Sequence, residues 1–111
     1  MSLRKLFNSV HSSILRYQNP QNKIISLMKS YNNTDWMEKV QHQVMWFQNK
    51  EIISSYKHKH IKTPVFFGES KLFDMYIIGF PSKYSTQIHT HEMQDCFFKT
   101  LKGSLTEAKF N

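Results

Sequence analysis

A chain of 111 residues forms one domain at most, and its 40% hydrophobic and 14% aromatic residues suffice for a globular core. Nothing in this composition suggests wholesale disorder, and no apolar run approaches the roughly 20 residues that a membrane helix needs. The single cysteine excludes an internal disulfide framework and fits a reducing compartment, so we expect a cytoplasmic protein without a membrane partner.

The net charge of +7 comes from lysines and arginines that are spread along the chain. Their densest cluster, residues 57–62, is accompanied by no RNA- or DNA-binding motif. We interpret the charge as a solvated basic surface and do not expect a nucleic-acid partner. Nucleic-acid binding through residues 57–62 is the alternative that charge alone leaves open.

The first segment, residues 1–17, has apolar residues at helical spacing, among them Leu3, Val10 and Ile14, and Ser2 stands where it can cap the first turn. The pattern predicts an amphipathic first helix. No Asp or Glu occurs before Asp35, so a mitochondrial transit peptide is the competing interpretation of this basic segment.

Two further helices are predicted. Pro20 breaks the first helix, and a second, short helix covers residues 23–31. Asp35 and Glu38 have the spacing of a capping box, which predicts a third helix that runs to Val40 and at most to Val44.

Strand-like composition follows from about residue 52 onward. Pro64 favours an edge position for the first strand, and Gly103 stands where the last hairpin needs its turn. Residues 68–70 form a turn between the first two strands. The predicted strands cover residues 61–67, 72–80, 84–91, 96–101 and 104–110. Helices followed by consecutive antiparallel strands indicate an α+β fold.

Two histidines, His89 and His91, lie in the strand predicted over residues 84–91. Side chains of a strand alternate between its faces, so the two imidazoles point the same way with Cα atoms about 6.5–7 Å apart. Two imidazoles at this spacing can converge on one metal ion. Half-buried polar residues without a metal are the alternative for either histidine taken alone.

The residues that follow extend the pattern: Cys96-Phe97-Phe98-Lys99 comes after the histidine pair, and Gly103 comes next. This series resembles the first metal motif of the cupins, and more narrowly that of the cysteine dioxygenases, which carry a cysteine where ordinary cupins carry a glutamate. The order of residues from Ser2 to His11 resembles the family's first helix, and the order from Met28 to Trp36 resembles its helical N-terminal region more loosely. The resemblance spans essentially this whole chain but only the N-terminal part of the family.

The resemblance implies a single cysteine dioxygenase-like domain over residues 1–111. Residues 1–50 would be the helical N-terminal region. Residues 51–111 would be the first strands of a truncated, jelly-roll-like cupin β-barrel, with the histidine pair on one of them. The overall fold class is thus α+β, with short helices followed by antiparallel strands.

The resemblance also implies an activity: Fe(II)-dependent oxidation of the thiol of L-cysteine to cysteine sulfinic acid with O2. His89 and His91 match two of the family's three iron ligands. Cys96 matches the catalytic-site cysteine that can form a thioether crosslink to a tyrosine beside the iron. Lys62 falls where the family has an arginine that binds the substrate carboxylate. The alternatives are that Cys96 is a small buried hydrophobe and Lys62 a surface lysine.

The family's third histidine ligand and the crosslinked tyrosine lie on later strands, and this sequence ends at Asn111. Three explanations stay open: a truncated or split gene product, a non-catalytic remnant, or a half-barrel that self-association or a partner completes. The glycines that precede the histidine pair in the family are Lys83 and Ser85 here. The backbone leading into that strand is therefore expected to differ.

Overall fold

A computed structural model of the protein describes residues 1–42, 61–80 and 96–103. In this part of the chain, helices come first and an antiparallel pair of strands follows, which agrees with the predicted α+β order. The elements are α1 (Leu3–Arg16), α2 (Gln21–Ser30), α3 (Trp36–Lys39), β1 (Ile61–Val65) and β2 (Met75–Gly79). The two strands form an open sheet, and a closed barrel is not seen in the described ranges. No helix in these ranges has both the length and the apolar character needed to cross a membrane.

Helix α1 forms where the apolar periodicity predicts it. Leu3, Leu6 and Val10 are buried on one face, and the core also takes in Phe7 and Ser13. The Ser2 side chain accepts a hydrogen bond from the Lys5 backbone N–H at 3.0 Å, so the predicted cap is confirmed. An aliphatic side chain contributes about 1.5–3 kcal/mol when fully buried, so this face is what docks the helix.

The carboxylate of Asp35 connects the start of α1 to the segment between α2 and α3. Its Oδ2 accepts the Leu3 backbone N–H at 2.8 Å, and its Oδ1 accepts the Tyr31 hydroxyl at 2.5 Å. The hydrogen bond from Tyr31, and then that from Leu3, hold the pKa of Asp35 below its usual value. Tyr31 is only 2% exposed, and its burial, followed by its bond to Asp35, raises the pKa of its hydroxyl.

This arrangement corrects the predicted capping box. Asp35 does precede α3, but its side chain makes no cap hydrogen bond there, because Leu3 and Tyr31 already use both carboxylate oxygens. Helix α3 ends at Lys39, and Val40 is its C-cap residue, 3% exposed in the core. Val44, the furthest predicted end of this helix, lies outside the described residues.

The sheet has two different faces. In its antiparallel register Thr63 pairs with Ile77, and the buried residues Val65 and Ile77 belong to the core that includes the helices. The alternate residues are exposed: Lys62, Pro64, Tyr76 and Ile78. We call these four the open face, because successive side chains of a strand point to opposite sides of the sheet.

The connection between the strands turns at residues 66–69. This turn begins two residues before the predicted turn at 68–70 and overlaps it. The Glu69 backbone N–H donates to the Phe66 carbonyl at 3.1 Å, and Gly68 has a φ of 74°. Phe66 itself has a φ of 52°, a strained value for a non-glycine residue. Its ring packs against Phe7 at 5.2 Å between centroids and lies under the Arg4 guanidinium at 3.7 Å, so α1 holds the strained residue in place.

The segment 96–101 is predicted as a strand, but the structure has no strand there. Its burial nevertheless alternates: Phe97 and Lys99 are half-buried, and Cys96 and Phe98 are exposed. Contacts with the helical core, rather than a strand ladder, therefore hold the segment. Gly103 has a φ of 83°, as a turn requires, and the strand predicted over 104–110 lies outside the described residues.

Candidate functional site

The predicted metal ligands, His89 and His91, lie outside the described residues. Within residues 1–42, 61–80 and 96–103, no group of three or more His, Cys, Asp or Glu could hold a metal ion. The donor set itself fits divalent iron, since imidazole is a nitrogen ligand that iron accepts.

Two other histidines are described, and both make hydrogen bonds to hydroxyl groups. The Nδ1 atom of His11, on α1, lies 2.9 Å from the Ser70 Oγ. The Nε2 atom of His42 lies 3.1 Å from the Thr63 Oγ1. These imidazoles tie the helical region to the sheet and its connection, which gives each a structural reason to be present.

Lys62, the predicted substrate-binding residue, lies on the open face of the sheet. It is the second residue of β1 and pairs in register with Ile78. Its Nζ atom lies 4.1 Å from the centroid of the Tyr76 ring. An ammonium group carries three N–H donors, so a lysine in this position can bind an anionic group that approaches the open face.

Cys96, the predicted active-site cysteine, is a free and exposed thiol. Its exposure is at odds with the alternative that it is a small buried hydrophobe. It begins the segment in which Phe97 packs against the core. Among the described residues, no hydrogen bond or ring contact joins Cys96 to Lys62.

Lys99 has a role that the sequence does not indicate. Its Nζ donates hydrogen bonds to the backbone carbonyls of Met28, at 2.8 Å, and of Tyr31. Two longer contacts join the same atom to the Asn32 Oδ1, at 3.3 Å, and to the Lys29 carbonyl, at 3.4 Å. These carbonyls lie at the end of α2, where the helix dipole favours a cation, and the Met28 carbonyl also accepts the Tyr31 backbone N–H at 3.2 Å.

The position of Lys99 three residues after Cys96 makes it the anchor of the cysteine-containing segment on the helical layer. No local sequence signal reveals this contact, because the partners are separated by 67 to 71 positions. A lysine within an apolar run is the only hint: a charge in a half-buried segment needs acceptors nearby.

No curated protein and no solved structure gives a significant match to the chain. The family model described as cysteine dioxygenase type I matches residues 2–111, which is nearly the entire sequence and includes the histidine pair, Cys96 and Lys62. The chain therefore belongs to the cysteine dioxygenase type I family.

Proposed function

We propose that the protein oxidises the thiol of L-cysteine to cysteine sulfinic acid with O2. The observation that carries the proposal is the family match over residues 2–111. In the overall reaction the sulfur gains both oxygen atoms and loses four electrons, and O2 accepts those four electrons. The thiol proton is retained in the sulfinic acid, which releases it to water at neutral pH.

His89 and His91 would hold the iron on which this family depends, as neutral imidazoles that leave the metal's charge uncompensated. When bound, the iron supplies the oxygen chemistry, and the protein supplies binding and orientation. A third ligand is not assigned to any residue of this sequence.

Lys62 would bind the carboxylate of the substrate, since its ammonium lies on the exposed side of the sheet and not in the core. A lysine gives a single point charge, whereas arginine gives a planar, two-pronged donor. Lys62 would therefore attract the carboxylate with the same charge as an arginine, but it would fix the orientation of the carboxylate less rigidly. Cys96, exposed at the start of its segment, would line the same site.

The test is oxygen consumption and cysteine sulfinate formation by the purified chain supplied with Fe(II) and L-cysteine. We expect sulfinate to form in the wild type, and His91→Ala to lose both the activity and the bound iron. His11→Ala is the matched control, because its imidazole contacts Ser70 and is assigned no part in the site. Absence of oxygen consumption by iron-loaded protein, or equal activity in the two histidine variants, would refute the proposal.

A further inference from the structure

We propose that Tyr76 is a positioning residue that holds the ammonium of Lys62 ready for the substrate carboxylate, and so favours thiols that carry one. The inference rests on the proposed function for the identity of the substrate. Its physical basis is the contact between the two side chains on the open face, where the Lys62 Nζ lies 4.1 Å from the ring centroid of Tyr76.

The strand register brings these two residues together. Lys62 pairs with Ile78 and Pro64 pairs with Tyr76, so Lys62 and Tyr76 are diagonal neighbours on the same face of the antiparallel pair. Diagonal neighbours are within reach of aromatic and long side chains. The backbone pairing thus places the two side chains within reach of each other.

The residue opposite Tyr76 adds rigidity to this arrangement. Pro64, the fourth of the five residues of β1, has its φ fixed by the pyrrolidine ring and lies in register with Tyr76. Lysine has a flexible four-carbon stem that loses rotamer freedom when its charge is held in one place. A fixed aromatic ring reduces that loss on ligand binding, because the ammonium is already localised before the ligand arrives.

Among the described residues, the Lys62 ammonium makes no hydrogen bond or ion pair that would occupy its N–H donors. The aromatic face attracts the cation through the ring quadrupole, and it covers one side of the ammonium only. Three N–H groups radiate from the nitrogen, so donors remain for a carboxylate that approaches from another side. The tyrosine hydroxyl has no part in this effect, which predicts that phenylalanine can replace Tyr76.

The consequence is a contribution to substrate selection. A thiol with a carboxylate uses the localised ammonium, whereas its decarboxylated analogue cysteamine does not. Losing the localisation of the ammonium restores the ordering cost of one long side chain and should weaken binding of the carboxylated ligand about two- to fivefold. Binding of cysteamine should stay the same within about 1.5-fold, because no charge in that ligand meets Lys62.

The experiment measures dissociation constants by calorimetry for L-cysteine and cysteamine, on the iron-loaded chain under nitrogen. The variants are Tyr76→Leu and Tyr76→Phe, with Tyr17→Leu as the matched control, since Tyr17 is a similarly exposed tyrosine at the end of α1. A proton NMR spectrum of each ligand-free variant provides a second readout. The Lys62 ε-methylene protons should be shifted upfield by the Tyr76 ring.

We expect Tyr76→Leu to weaken the binding of L-cysteine but not that of cysteamine, and to abolish the upfield shift. Tyr76→Phe and Tyr17→Leu should keep the L-cysteine affinity and the upfield shift of the wild type. Equal weakening of both ligands, no weakening of L-cysteine, or equal loss in the leucine and phenylalanine variants would overturn the inference. Failure of L-cysteine to bind the wild type would overturn it too.

Because turnover is not measured under nitrogen, this experiment separates the inference from the proposed function. Selective, Tyr76-dependent binding of L-cysteine by a chain that forms no sulfinate in air would support the inference and refute the proposed activity.

Discussion

Replacing Lys99 with methionine would test how the segment that begins at Cys96 is held on the helical layer. Methionine keeps most of the length of the side chain and removes the charge and all three N–H donors. The carbonyls of Met28 and Tyr31 would lose their ammonium partner, and the half-buried position would keep an apolar side chain.

The expected magnitude follows from the contacts. Two of the four acceptors are close, the carbonyls of Met28 and Tyr31, and two are at 3.3 Å or more. A hydrogen bond to a charged group contributes about 1.5–3 kcal/mol, so the two close bonds contribute roughly 3–6 kcal/mol before costs. Ordering a lysine side chain costs up to about 2 kcal/mol, and removing water from the ammonium offsets a further part of the hydrogen-bond energy. We expect a net loss of about 2–3 kcal/mol in the free energy of unfolding.

The assay is urea denaturation at neutral pH, followed by circular dichroism, with a thermal scan beside it. For a chain of 111 residues, each kcal/mol corresponds to about 4 °C in Tm, so the variant should melt roughly 8–12 °C lower. Lys102→Met is the matched control: Lys102 is an exposed lysine of the same segment, and its replacement should cost at most about 0.5 kcal/mol. Equal stability of the two methionine variants would refute the anchoring role of Lys99.

Two further predictions concern the helical layer and the connection between the strands. The pKa of Asp35 is lowered in the folded state, so the unfolded chain takes up the proton first as the pH falls. The stability that Asp35 contributes is therefore complete near pH 6. It is lost as the pH falls from about 4, the ordinary pKa of the carboxyl group, through the lower pKa that the group has in the folded protein. The difference in unfolding free energy between pH 6 and pH 3 should be smaller in Asp35→Asn than in the wild type, and an unchanged difference would contradict this. Gly68→Ala should lower the unfolding free energy by about 1–2 kcal/mol, because Gly68 has a φ of 74° while an added Cβ would meet no atom within 4 Å. A larger loss in urea denaturation would point to a steric clash, and no loss would show that the turn relaxes.

The helical part of the fold is well predicted from the sequence because its signals are local. The spacing of Leu3, Leu6 and Val10 sets the buried face of α1, and Ser2 sets its start. The same local rules mislead at Asp35. The spacing to Glu38 is that of a capping box, yet the carboxylate binds Leu3, which is 32 positions away. Tertiary contacts of this kind compete with local capping, and they produce no periodic pattern in the sequence from which they could be predicted.

The candidate site is predicted by motif more than by geometry. Family resemblance suggests Lys62, Cys96 and the two histidines, and the match over residues 2–111 shows the family while the roles of these residues stay predictions. The partnership of Lys62 with Tyr76 depends on the register of two strands, and the anchoring of Lys99 depends on the end of a distant helix. Neither follows from spacing, because both require knowledge of which segments meet.

The open face also has a consequence for the order in which the chain must fold. A slip of one residue between β1 and β2 would turn Lys62 toward the core and Val65 toward water, since the two alternate along the strand. The helices that bury Val65 and Ile77 lie within the first 40 residues and emerge first during synthesis. If the helices have already packed together, the slipped register would place Lys62 against them in place of Val65 and would be unstable. The helices therefore favour the register in which Lys62 is exposed to solvent.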